Sequence, residues 1–290
     1  MAHQERKKIM KTWKKIVLGV SLISLFLGGG LVAWGYSQGG LTDLQNKTIS
    51  EQDYVKKEVK DFNKIDIKSS SYNVLIKNGD VDKATLSYYQ KTKNPIDTSV
   101  KDGQLTINDN NSELDSTSNK HINFFGLKDL VRLSTLNKEV RNKTIVITLP
   151  KKQTIDFLKV DLATGNLDLS NSTIKQADIN LNVGDLTFTK MIVSNLKANL
   201  DVGSVDSDHT LFTNSDLSIA MGDYSGDNLI FNGHNKLDVT SGDIEIALKD
   251  YTLNVQADSH SGEVDITNNL KISKDNTLTI TSDLGDITVE

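Results

Sequence analysis

Apolar and polar residues alternate through the second half of the chain, and glycine interrupts the alternation at regular intervals. The glycines recur in one context: Thr164-Gly165-Asn166, Val183-Gly184-Asp185, Val202-Gly203-Ser204, Met221-Gly222-Asp223, Ser241-Gly242-Asp243, Ser261-Gly262-Glu263 and Leu284-Gly285-Asp286. Their spacings are 19, 19, 19, 20, 20 and 23 residues. Apolar residues alternate before most of them, as at Ile179, Leu181 and Val183, and after most of them, as at Leu186 and Phe188 or Ile244 and Ile246. A period of two on both sides predicts strands. The phase slips at the glycine, which places one inward residue just before it and the next inward residue two after it. Such a slip turns the strand through a corner, and glycine followed by Asp, Asn or Ser suits the bend. A further inward position, nine residues past the glycine, holds Ile174, Val193, Phe212, Phe231 and Tyr251. A helix-free unit of ~20 residues with several short strands is what one coil of a parallel β-solenoid requires, with successive coils stacking at about 4.8 Å and pairing strand on strand. An antiparallel sandwich or meander is the competing architecture. It would mix tight and long loops freely, whereas the near-constant step favours stacked coils.

Towards the N-terminus the same theme is less regular. Ile65 and Ile67, then Tyr72, Val74 and Ile76, then Leu86 and Tyr88, Leu105 and Ile107, and Ile145, Ile147 and Leu149 before Pro150 read as irregular first coils. Residues 108–142 form a loop or helix insertion: an Asn, Ser and Asp-rich stretch followed by Phe124 to Leu136 (FFGLKDLVRLSTL), which could be an amphipathic helix. Its plainest role is a cap over strand edges. Its cluster of Phe124, Phe125, Leu127, Leu130 and Val131 also suits contact with a membrane or partner.

Residues 1–15 are basic, with Arg6, Lys7, Lys8, Lys11, Lys14 and Lys15, and an uncharged stretch runs from Ile16 to Tyr36. That length is enough to cross the ~30 Å hydrocarbon layer as a helix. The basic flank orients it with the N-terminus in the cytoplasm, and Trp13, Trp34 and Tyr36 take the interfacial positions. The expected localisation is the cell membrane: single-pass, with residues 37–61 as a stalk and an extracellular domain over 62–290, its regular coils at 155–290. A cleaved secretory signal is the alternative, and it too exports the domain.

Composition and charge change the picture further. Cysteine is absent from the 290 residues, which excludes disulfides, thiolate metal sites and a lipidated anchor cysteine. The net charge of -5 hides a split: residues 1 to 159 carry 26 Lys+Arg against 17 Asp+Glu, and residues 160 to 290 carry 7 against 21. The acidic half argues against nucleic acid as a partner and for cationic ones. His3, His121, His209, His234 and His260 lack metal-site spacing and read as solvated, and no nucleophile elbow or phosphate-binding loop is present. Neither a catalytic set, a metal site nor a cofactor is expected. A carboxylate pair of the polysaccharide-cleaving kind is the one enzymatic alternative, but residues 160 to 290 contain no Arg or Trp to orient a sugar.

Outward positions one and three past the glycines place Asp185, Asp223, Asp243, Glu263 and Asp286 in one column and Asp168, Asp206, Glu245 and Asp265 in the next. Asp185, Asp206, Asp223, Asp243, Glu245, Glu263 and Asp265 form the candidate acidic binding face. Two readings stand open: turn-forming, solubilising carboxylates, or an anionic surface for Ca²⁺ or cationic peptides.

The order of basic start, single span, Ile-x-Ile-x-Leu-Pro at Ile145 to Pro150 and repeated apolar-Gly-Asp-apolar coils resembles the LiaG-like adhesin-type family of bacterial envelope proteins. The resemblance covers about Phe62 to Glu290. It implies an all-β, single-stranded, right-handed parallel β-helix and no enzymatic activity. It also implies a place in envelope-stress and antimicrobial-peptide response, with envelope components, cationic peptides or membrane signalling proteins as partners. A surface adhesin or structural spacer is the alternative function.

Overall fold

The computed structural model describes residues 52–91, 95–109 and 143–290. Their regular structure is entirely β, arranged as a fifteen-stranded and a ten-stranded sheet. The Gly203 coil shows the unit. Leu196–Val202 lies in the ten-stranded, pre-glycine sheet, the chain turns at Gly203, and Val205–Asp208 and Leu211–Thr213 lie in the post-glycine sheet. The next coil stacks parallel and in register, pairing Leu200 with Ile219, Val205 with Tyr224 and Phe212 with Phe231. Equal repeat positions therefore become columns. Inward columns close into one continuous core, in which Phe188 meets Phe212 edge-on at 5.3 Å and Phe212 stacks on Phe231 at 5.8 Å. Each fully buried Leu, Ile or Val contributes roughly 1.5–3 kcal/mol, so the periodic pattern itself drives the stacking. The other corners use left-handed backbone, at Asn171, Lys190, His209 and Asn228 and again at Asn195, Asn214 and Gly233. Asparagine's short polar side chain tolerates that conformation better than most.

Two expectations about the regular coils are corrected. The last inward residue before the corner lies three before the glycine, as at Leu162, Leu181, Leu200, Ile219 and Val239, all buried. The residue immediately before it has inward parity, yet the backbone has already begun to turn. Val202, Met221 and Leu284 are consequently 37, 59 and 55% exposed.

The second correction concerns coil order. Glycines 165, 184, 203, 222 and 242 stack in chain order, but Gly285 comes next and Gly262 last. Thr277–Leu284 is inserted between His234–Ser241 and Asn254–Ser261. The reason is burial. Leu278, Ile280, Ile287 and Val289 are at most 1% exposed in the inserted coil, whereas the outermost coil offers Val255, Ala257, Ser259 and a 41% exposed Val264. The more apolar coil takes the position with two neighbours. The opposite end repeats the inversion: Lys64–Ser69 and Asn73–Gly79 lie between the coil of Phe157–Leu162 and Leu167–Ser170 and the coil of Gln104–Asn108 and Thr144–Pro150.

That opposite end is closed by antiparallel strands. Gln52–Glu58 pairs with Thr85–Lys91, which pairs with Thr144–Pro150, and Asp97–Lys101 pairs with Gln104–Asn108. Val59, Phe62, Tyr88 and Ile96 are buried there. The stretch read as a stalk thus supplies an edge strand from Gln52 onward, and Leu86 and Tyr88 belong to the closure rather than to a coil. The membrane span and the Phe124 to Leu136 segment lie outside the described residues.

Candidate binding face

The outer surface of the post-glycine sheet is built from residues one, three and five past each glycine. In stack order the first column reads Asn166, Asp185, Ser204, Asp223, Asp243, Asp286, Glu263. Its side chains form a ladder in which each coil caps the next. The amide of Asp185 donates to Asn166 Oδ1 at 3.0 Å, that of Ser204 to Asp185 Oδ1 at 3.0 Å and that of Asp223 to Ser204 Oγ at 3.3 Å. Amides of Asp243, Asp286 and Glu263 donate in turn to Asp223, Asp243 and Asp286 at 2.9, 2.9 and 2.8 Å. A carboxylate after the glycine is therefore structural as well as charged. Asparagine can fill the same rung, which allows charge to be removed while the hydrogen bond is kept.

The second column reads Asp168, Thr187, Asp206, Ser225, Glu245, Thr288, Asp265. Acids alternate between the two columns at Asp168, Asp185, Asp206 and Asp223, so each lies diagonal to the next. Further along the stack the alternation ends, and Asp243, Asp286 and Glu263 lie directly above one another with Glu245 and Asp265 beside them. Carboxylates on coils about 4.8 Å apart repel by about 1 kcal/mol in water and by a few kcal/mol at the lower dielectric of a protein surface. A third column adds Asp208, Asp227 and Glu290, and none of the three columns holds Lys or Arg over these seven coils. The structure thus brings all seven residues of the sequence-derived face onto one sheet surface, with charge densest at the Gly262 end.

The opposite sheet has a different charge plan. Six residues before the glycines, one outward column reads Lys159, Asp178, Lys197, Asp216, Lys236, alternating in sign, and Asp66 continues it at the other end. An Asn ladder runs beside it: Asn180 Nδ2 donates to Asp161 at 3.0 Å and Asn199 Nδ2 to Asn180 at 2.9 Å. The 19 to 20 residue spacing of these alternating charges was visible in the sequence but carried no meaning until the coil register was known.

Asp168 departs from the rest of its column. Although its parity points outward, it is 2% exposed, and its stack neighbours Leu75 and Thr187 are 6 and 4% exposed. Burial pushes its carboxyl up from an ordinary 3.8 to about 7, nearby Asp185 and Asp206 add to the rise, and a hydrogen bond from Thr187 opposes it. The fold thus prefers the neutral acid. Its stabilising contribution is complete below pH 3.8 and is lost as pH rises through 7. An Asp168→Asn variant is expected to melt higher than the parent at pH 8, by an energy on the order of 4 kcal/mol, and to melt with it near pH 4. Parallel melting curves at both pH values would refute this.

Among the described residues no cluster of His, Asp and Glu could hold a metal ion. His209 lies at a corner with Nδ1 2.6 Å from Asp208, and His234 and His260 lie exposed on strands. A hollow of about 170 Å³ beside Lys190, His209, Asn228 and Lys249 has no carboxylate in its lining.

A family model described as Toastrack DUF4097 matches residues 62–290. The chain belongs to this family. The Toastrack domain is also similar to several solved structures. One, named as a candidate cell adhesion protein from Clostridium sporogenes, is 13% identical, with 82% of this chain and 99% of that one covered and a TM-score of 0.33. A candidate adhesin from Parabacteroides distasonis is 15% identical, covering 83 and 98% at 0.38, and a candidate lipid binding protein from the same organism is 12% identical, covering 83 and 98% at 0.33. No curated protein matches the chain.

Proposed function

We propose that this Toastrack protein acts without catalysis at the bacterial cell envelope, held by the Ile16 to Tyr36 span, and that its post-glycine face binds cationic partners. Cationic peptides met in antimicrobial-peptide response are the leading class. One observation carries the reading: three columns of stacked carboxylates without a basic residue over the seven glycine coils, opposite a sheet with a column of alternating sign. Solubility alone is served equally well by mixed charges. Like charge accumulated on one face attracts cations, and a cationic partner relieves the repulsion between neighbouring coils.

The test is binding of a Lys-rich amphipathic peptide to the full chain in detergent micelles at increasing salt. Replacing Asp223, Asp243 and Asp265 with Asn and Glu245 and Glu263 with Gln keeps the rungs at Asp223 and Asp243. Affinity is expected to fall at least about tenfold, equivalent to 1.4 kcal/mol, and its salt dependence to flatten. Affinity equal to that of the parent would remove the acidic face as the site and leave the adhesin or spacer reading, in which the repeats provide length and contact area.

A further inference from the structure

The two ends of the stack are finished differently. One is closed by antiparallel strands and buried apolar residues, as described above. At the other, among the described residues, Asn254–Ser261 pairs on one side only, with Thr277–Leu284, and Val264–Ile266 pairs only with Ile287–Val289. Exposed edges are usually blunted by charged side chains, Pro, a bulge or brevity, and the eight-residue Asn254–Ser261 (NVQADSHS) has neither Lys nor Pro, carries one charge, Asp258, and keeps unbroken register. Inward side chains Val255, Ala257 and Ile266 lie only partly buried beneath it, and Val264 is 41% exposed. A core left open at a coil end is covered best by another coil end of the same cross-section.

The geometry points to a second copy of this chain as the occupant, joined edge to edge through Asn254–Ser261 about a two-fold axis. The Asn254 amide donates to the Asn276 carbonyl within the stack at 3.0 Å. By the alternation of a parallel ladder, Val255, Ala257 and Ser259 turn their N–H and C=O groups to the open side. An antiparallel two-fold centred on Ala257 pairs Ala257 with Ala257 of the second copy and Val255 with Ser259 of the second copy, using those groups. Outward, Gln256 then faces Asp258 of the second copy and Asn254 faces His260 of the second copy, with no like charges opposed. Centring one residue later would set Asp258 against itself, which is destabilising. The favoured register continues the pre-glycine sheet across both copies and places Val255 and Ala257 on the shared core side. Isologous contacts of this kind close at two subunits.

Because the chain has no cysteine, the register can be read directly. In the full chain carrying Gln256→Cys and Asp258→Cys, purified in detergent, mild oxidation is expected to give a disulfide-linked dimer on a non-reducing gel. Ala257→Pro removes an N–H that faces the open side, a position where an edge strand accepts proline. Added to the cysteine variant, it is expected to abolish the cross-link, and alone to convert the sedimenting dimer to monomer with an unchanged circular dichroism spectrum. A parent chain that sediments as a monomer, together with cysteines that titrate as accessible thiols but form no dimer, overturns the proposal. A dimer that persists with Ala257→Pro also overturns it, by placing the contact elsewhere.

Discussion

Gly203→Ala is expected to destabilise the stack strongly, and the same change at Gly184, Gly222 or Gly242 in its column should act alike. Gly203 has φ of 146°, and a Cβ there would lie 2.0 Å from the carbonyl oxygen of Gly184 and 2.6 Å from its carbon. The backbone conformation alone costs roughly 1–3 kcal/mol for an L-residue. The overlap is with backbone held by ladders on both sides, so relief requires two coils to separate, at a further cost of about 1–3 kcal/mol. A melting temperature lower by about 10 °C or more is the expected reading. Gly226→Ala is the control. Gly226 lacks positive φ, and its added Cβ would meet side chains alone, the buried Leu229 at 2.4 Å and Tyr224 at 3.1 Å, rather than backbone held in ladders, so a smaller loss is expected. Equal losses at the two sites would show that the glycine column is replaceable.

The second large effect tests the order of the coils. Ile280→Ala with Ile287→Ala empties two fully buried positions in the inserted coil, and losses of about 2–5 kcal/mol at each are expected. Val255→Ala with Val264→Ala, in the coil that precedes it in sequence, touches side chains at the stack end that are only partly buried within one chain and should cost less than the pair in the inserted coil. Stacking in chain order would reverse the ranking, since the Gly262 coil would then be internal. Denaturant unfolding of the two double variants decides between the orders. Hydrogen exchange should likewise protect Thr277–Leu284, paired on both sides, more than Asn254–Ser261.

The contrast shows where sequence reasoning reached and where it stopped. Leu186, Val205, Tyr224, Ile244 and Ile287 were legible as inward because each lies two residues past a glycine, and local geometry settles that. Val202 and Met221 were misread because parity holds along a strand but fails inside a corner, where the backbone rotates without changing the alternation. The acidic columns were legible as positions, since equal offsets from a glycine stack in any solenoid. Their hydrogen-bonded ladder was not, because an amide on one coil and a carboxylate on another are joined only when the coils are in register.

What the sequence determined by itself is the coil: its length, its glycine corner, its inward stripes and the acidic offsets beyond the turn, all set by interactions within about ten residues. Tertiary structure alone decided which coil lies on which. Every coil presents the same backbone donors and acceptors to its neighbours, so local pattern leaves the order degenerate. The choice falls to differences in buried apolar surface summed over the whole stack. Those differences put Leu278, Ile280, Ile287 and Val289 inside and left Asn254–Ser261 at the open edge.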